Sequence, residues 1–165
     1  MQRDPHPETD LDALRSRCRS RILATLDADG TPQASPAPFV RDARGRYCVF
    51  VSGLSPHTAH LATGRPVGIL LVEDEADALQ IFARRRLSHS CTVEEIGGGT
   101  ADWDGYLTAF GERFGSVVDV LRSLPDFRLF RLTPETGRFV RGFGQAYRVV
   151  GGSLQALGPN DDGDG

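Results

Sequence analysis

Lysine is absent from this chain; all nineteen of its basic side chains are arginine. A Walker A loop needs its lysine and Schiff-base chemistry needs an amine, so both classes are excluded. Any anion held by side-chain charge is held by guanidinium, whose planar fork suits phosphate and carboxylate. Cysteine is scarce too: Cys18, Cys48 and Cys91 are far apart and form no CxxC pair. No zinc site or disulfide framework is expected, and a reducing cytoplasmic location fits. No apolar run approaches the ~18 residues of a membrane span, so no membrane partner is expected. Met1–Pro5 contains no apolar stretch of the kind that marks a secretory signal. The net charge of −3 includes Asp161, Asp162 and Asp164 in the terminal GPNDDGDG; without them the acids and arginines balance. A neutral body is poor material for nucleic-acid binding, and no such partner is expected.

What remains is ordinary globular material, 39% hydrophobic and 25% charged. It is read as one domain over residues 10–150, with a polar tail at 1–9 and a Gly/Asp-rich tail at 151–165. Asp10 is placed as the cap of a short helix carrying Leu11, Leu14 and Cys18 on one face. Residues 22–26 and the Asp-Ala-Asp-Gly turn at 27–30 announce a hairpin. Pro32, Pro36 and Pro38 make the following segment an edge or bulged strand. Residues 47–51 are apolar at every position and are expected to be buried on both faces. Ser55-Pro56 reads as a helix start, with Gly64 and Pro66 closing a short helix. Strands are expected at 67–72 and at 79–87. Trp103, Tyr106, Leu107, Phe110 and Phe114 form an amphipathic helical stripe. A second short helix runs up to Pro125, and strand signals follow at 127–132 and 138–143, as two strands or one long bent one. Many short strands with few helices indicate a small antiparallel barrel with helical decoration.

Two places offer ligand chemistry. The period of two along 79–87 puts Arg84 and Arg86 on one face beside Phe82, with Arg85 on the other. Two parallel guanidinium groups invite an anion, although local carboxylates are an equal alternative. The segment Ser52-Gly53-Leu54-Ser55-Pro56-His57-Thr58 combines a helix start with hydroxyl donors, a natural phosphate site that is also an ordinary capped helix. His57 and His60 are i, i+3, but no third ligand is evident and no metal site is expected. No residue declares itself a general acid or base, so the catalytic residues are unassigned.

The segments LATLDADGTPQASPAPFV, FVSGLSPHTAHL, LLVEDEADALQIFARRRL, FGERFG and DFRLFRLTPETGRFVRGFGQAY resemble the FMN-binding split-barrel superfamily of pyridoxamine 5′-phosphate oxidase. Within it they are most similar to the haem-utilisation, HugZ/HutZ-type branch. The resemblance implies a mainly β, six-stranded antiparallel Greek-key split barrel that works as a homodimer, with FMN or haem in inter-subunit clefts. It implies that Ala34, Ser35, Pro36 and Ala37 line the flavin ring. Ser52, His57 and Thr58 would lie on the phosphate side, where the helix start itself adds Ser55, and Arg84 and Arg86 on the basic strand beside it. The expected function is an FMN-dependent oxidoreductase acting on a small molecule. Haem binding or degradation is the alternative, and a non-catalytic flavin or haem module a third. No histidine follows His89, so neither the Arg-x-His substrate motif of the oxidase nor the C-terminal iron-ligating histidine of the haem branch is present. His57 or His89 would have to substitute as iron ligand.

Overall fold

The first hairpin is set by one side chain. Asp27 Oδ1 accepts the backbone N–H groups of Asp29 and Thr31, at 2.9 and 2.8 Å. Gly30 then takes a φ of 82°, which a Cβ would resist. Strands β1 (Ser20–Leu26) and β2 (Pro32–Arg41) leave this turn antiparallel, with Leu26 opposite Pro32 and Ser20 opposite Pro38. The computed structural model describes residues 6–158 and Asp161.

The prolines explain how β2 is used. Pro32, Pro36 and Pro38 are all at even positions, so their missing N–H donors fall on one side of the strand. Residues 32–38 pair with β1 alone, and Phe39–Arg41 pair with β3 (Tyr47–Ser52). The expected edge is therefore present over most of the strand.

Helix α2 (Pro56–Ala62) carries the chain from β3 to β4 (Val67–Val72), which returns beside β1. β5 (Arg86–Ile96) pairs with β4, and the long bent β6 (Phe127–Gly142) pairs with β5 and then back onto β3. The order β3-β2-β1-β4-β5-β6, closed by β3–β6, is a six-stranded antiparallel barrel with a Greek-key return. β7 (Gln145–Val150) and β8 (Ser153–Ala156) continue the sheet outward from β6. Helix α1 is Pro7–Arg17, α3 is Ala101–Phe114 and α4 is Val117–Arg122.

β3 is buried on both faces, as its sequence demands. Tyr47, Val49 and Val51 point into the barrel with Leu23, Phe39, Leu71, Leu87 and Phe139. Cys48 and Phe50 point outward beneath Tyr106, Leu107 and Phe110 of α3. The α3 stripe is thus core packing. Burial pushes the Cys91 thiol up to about 12 and the Cys48 thiol higher still, so both stay protonated.

Three expectations need correcting or completing. The strand at 79–87 does not form: Ile81–Ala83 is a single 3₁₀ turn, and the strand begins at Arg86. Asp74 and Gln80 side chains accept the N–H groups of Ala76 and Phe82, which favours turns over a ladder. Leu79 and Phe82 are 74% and 82% exposed, so their alternation marks no buried face. Asp10 is not the cap of α1. His6 holds that position, Pro7 follows it, and Asp10 is buried in the first turn. Residues 7–9 belong to α1 and 153–156 form β8; the remainder of the two tails, at 1–5, 159–160 and 162–165, lies outside the described residues.

Candidate functional site

The β2–α2 edge gathers most of the residues singled out from sequence. Ser35 on β2 shares a 2.7 Å hydrogen bond with Nδ1 of His57, and Thr25 on β1 shares one of 2.8 Å with Nδ1 of His60. Ser52 Oγ donates to Asp126 (2.6 Å) and accepts the N–H of Leu54 (3.1 Å). Thr58 Oγ1 donates to the Ser52 carbonyl at 2.5 Å. Burial, reinforced by His60, holds His57 below its usual pKa, so it is neutral near pH 7. Ala37 faces inward, while Ala34 and Pro36 are exposed on the open strand. Ser55 occupies the cap position of α2, but its hydroxyl makes no capping bond.

These residues cluster, yet within one chain they do not form a phosphate cradle. The protons of Ser52 and Thr58 already go to protein acceptors, and Ser35 is engaged with His57. Asp126 sits against Ser52, where a second anion meets like-charge repulsion.

Arg84 and Arg86 lie at the other end of β4. α2 leads into Val67, whereas Arg86 pairs with Val72, roughly 17 Å away by the strand rise. Arg84 donates from Nε and Nη2 to the Glu73 carbonyl and from Nη1 to Glu75. The face assignment fails because residues 81–83 are a turn. Arg85 does not face apolar core: it is clamped to Glu73 by its N–H and Nε (2.7 and 2.9 Å) and reaches Asp10 at 3.3 Å.

Arg86 opens a different site. It stands opposite Val140 on β6, and Ser88 stands opposite Arg138, so all four side chains share the outer face of the sheet. On β7, Ala146 pairs with Val140 and continues that face. A cleft of about 390 Å³ lies over it, lined by Arg86, Arg138, Val140, Phe82 and Phe143, with Leu157 at its C-terminal side. Phe82 and Phe143 both project into solvent. Arg138 and Phe143 escaped the sequence reading; the signal was the period of two through 138–142, once β5 is given its true start.

Residues 8–141 match the pyridoxamine 5′-phosphate oxidase family. The chain belongs to this family. A relative named heme oxygenase HutZ, from Vibrio cholerae serotype O1, is 42% identical over 147 residues, covering 89% of this chain and 83% of its own. The crystal structure of HutZ, described as the heme storage protein from Vibrio cholerae, covers 81% of this chain and 94% of its own with a TM-score of 0.77 at 39% identity. Campylobacter jejuni ChuZ superposes with a TM-score of 0.85 at 28% identity, over 100% of this chain and 68% of its own. The pyridoxamine 5′-phosphate oxidase fold is therefore shared with the haem-utilisation branch, as the sequence motifs imply.

Proposed function

We propose that this protein binds haem, and that haem lies in the cleft over the outer face of β5, β6 and β7. The observation that carries the reading is the pairing of exposed Phe82 and Phe143 with Arg86 and Arg138 around one cleft. Haem is a broad apolar plate with two carboxylates on one edge. Aromatic side chains cover such a plate, and guanidinium forks hold carboxylates with charge-assisted hydrogen bonds. The volume is within the range of small-molecule and cofactor sites. The relatives named for heme oxygenation and heme storage support the same reading.

The iron is a separate matter. Among the described residues, no His, Cys, Tyr or Met lines the cleft. Of the substitute ligands, His57 is tied to Ser35 and His89 is buried on the inner face of β5. No side chain of the cleft is placed to relay a proton, so binding is the activity proposed, as a carrier or store. An FMN-dependent oxidoreductase is the weaker reading, because the hydroxyls it needs are engaged and the arginines it needs lie far from them.

The reading takes the protein as a homodimer. Support comes from β2, which pairs on one side only over residues 32–38, and from Leu54, Leu79, Phe82 and Phe143, left in water by the single chain. Sedimentation at micromolar concentration should give twice the 17.9 kDa chain mass. Haemin added to the purified apoprotein should give a saturable Soret band that equimolar FMN does not suppress. Saturable FMN binding without a Soret change would restore the flavin reading.

A further inference from the structure

A second cavity, of about 250 Å³, opens between the β2–β3 turn, the N-terminal helix and the β7–β8 hairpin. Arg15, Arg41, Arg44 and Arg46 line it, with His89 as its floor. Among the described residues Glu135 is the one carboxylate in the lining. Of the four arginines, Arg46 is neutralised by Asp42 at 2.8 Å. Arg15 reaches Asp12 only at 3.4 Å, and its Nε is buried without a hydrogen-bond partner. Arg41 and Arg44 have no carboxylate partner among the described residues. Arg41 lies over the Tyr47 ring at 5.9 Å, and it passes so close to Gly45 that a Cβ there would stand 2.9 Å from its Nη2.

The floor is as unusual as the walls. His89 is 6% exposed, and neither ring nitrogen has a hydrogen-bond partner in bonding geometry. Tyr47, whose ring lies 6.4 Å from that of His89, has a hydroxyl that is also buried and unpartnered, and the Arg21 guanidinium stacks 4.1 Å from the Tyr47 ring. Native proteins rarely leave buried polar groups unpaired. Here His89, Tyr47 and Arg21 are three such groups, successive neighbours beside a cavity with a surplus of positive charge.

We propose that this cavity is a binding site for a phosphate-class oxyanion, separate from the haem cleft. Arg15 comes from α1, Arg41 from the end of β2 and Arg44 from the following turn, so the donors approach from several planes. A tetrahedral anion accepts from several planes at once, whereas a carboxylate takes a single fork. Neutral His89 supplies one ring N–H from below. The groups facing it are Arg15, Arg41, Tyr47 and the Glu135–Thr136 backbone, so a dianion arriving among them favours its protonated form.

The test is calorimetry and histidine NMR of the full chain with inorganic phosphate at fixed ionic strength. Saturable binding is expected, with the His89 ring resonances moving and its titration midpoint rising. Arg41→Ala and Arg44→Ala, both at exposed positions, should each weaken phosphate by about tenfold, the loss of one charge-assisted contact. Arg122→Ala, on α4 and outside this lining, should not. Haemin binding should be unchanged in all three variants, which separates this site from the cleft. A His89 signal that does not respond to phosphate, equal weakening by Arg122→Ala, or saturation by acetate but not by phosphate overturns the proposal.

Discussion

Asp10 and Arg141, 131 residues apart, meet in a buried ion pair: Arg141 Nε donates to Asp10 Oδ2, and each side chain is 9% exposed. Arg85 joins the same carboxylate from the position just before β5, and Glu73 closes the group from the position just after β4. The first helix is thereby fixed to the last barrel strand. Asp10→Ala strands two guanidinium groups, although Tyr147 still serves Arg141 and Glu73 still serves Arg85. Breaking a buried pair from one side costs about 3–5 kcal/mol; the remaining partners put this case at the lower end. Urea unfolding of Asp10→Ala and Asp10→Asn measures it, and a loss below 1 kcal/mol in both would remove the pair from the account of stability.

The three adjacent arginines should separate by role. Arg85→Ala should be the most destabilising, by about 2–3 kcal/mol, because it leaves Glu73 and Asp10 short of charge-assisted bonds. Arg86→Ala should cost little stability and weaken haem. Arg84→Ala should do neither strongly, since it caps an exposed acidic turn. Thermal melts and haemin titrations of the three variants check the order, and an equal effect of all three on haem would contradict the assigned strand start.

Ser52 is assigned to structure. Its hydroxyl connects β3 to Asp126 and to the Leu54 N–H. Ser52→Ala should lower stability by about 1 kcal/mol, the net value of a hydrogen bond between part-buried groups, with the haemin dissociation constant unchanged. A stable variant with weakened flavin affinity would be the signature of the phosphate-side role instead.

Much of this architecture was legible because local signals agreed. Asp27–Gly30, the all-apolar 47–51 run, Ser55-Pro56 and the α3 stripe each carried turn chemistry or periodicity that tertiary packing had no reason to override. The strand at 86–96 was misplaced because its inward positions include His89 and Cys91, while the exposed Leu79, Ile81 and Phe82 imitate a strand. The cleft proposed for haem was half legible, through Arg86. Arg138 and Phe143 join it only through the β5–β6 register and the β6–β7 hairpin, which no local pattern announces. The ion group of Asp10, Arg85 and Arg141 spans nearly the whole chain, so Asp10 looked like a cap.

His89 makes low pH costly. Burial, aided by Arg15, lowers its pKa from 6.5 to about 4. Between those values the unfolded chain binds the proton and the folded chain does not, so stability is full above pH 6.5 and falls as pH drops towards 4. The loss is about 2 kcal/mol by pH 5 and about 3 kcal/mol below pH 4. In phosphate-free buffer, His89→Gln should flatten the stability profile across this window. An unchanged slope would mean that other groups carry the acid sensitivity.

The most direct measurement is a Soret-band titration of wild type and of the Phe82→Ser/Phe143→Ser, Arg86→Ala and Arg138→Ala variants, with haemin and with its dimethyl ester. The account predicts saturable haemin binding by the wild type. Each arginine variant should weaken haemin by about tenfold, the value of one hydrogen bond to a charged group, and the ester very little. The aromatic double variant should weaken both ligands. Wild-type affinities for haemin that survive in all of these variants would place the haem elsewhere and contradict the central claim.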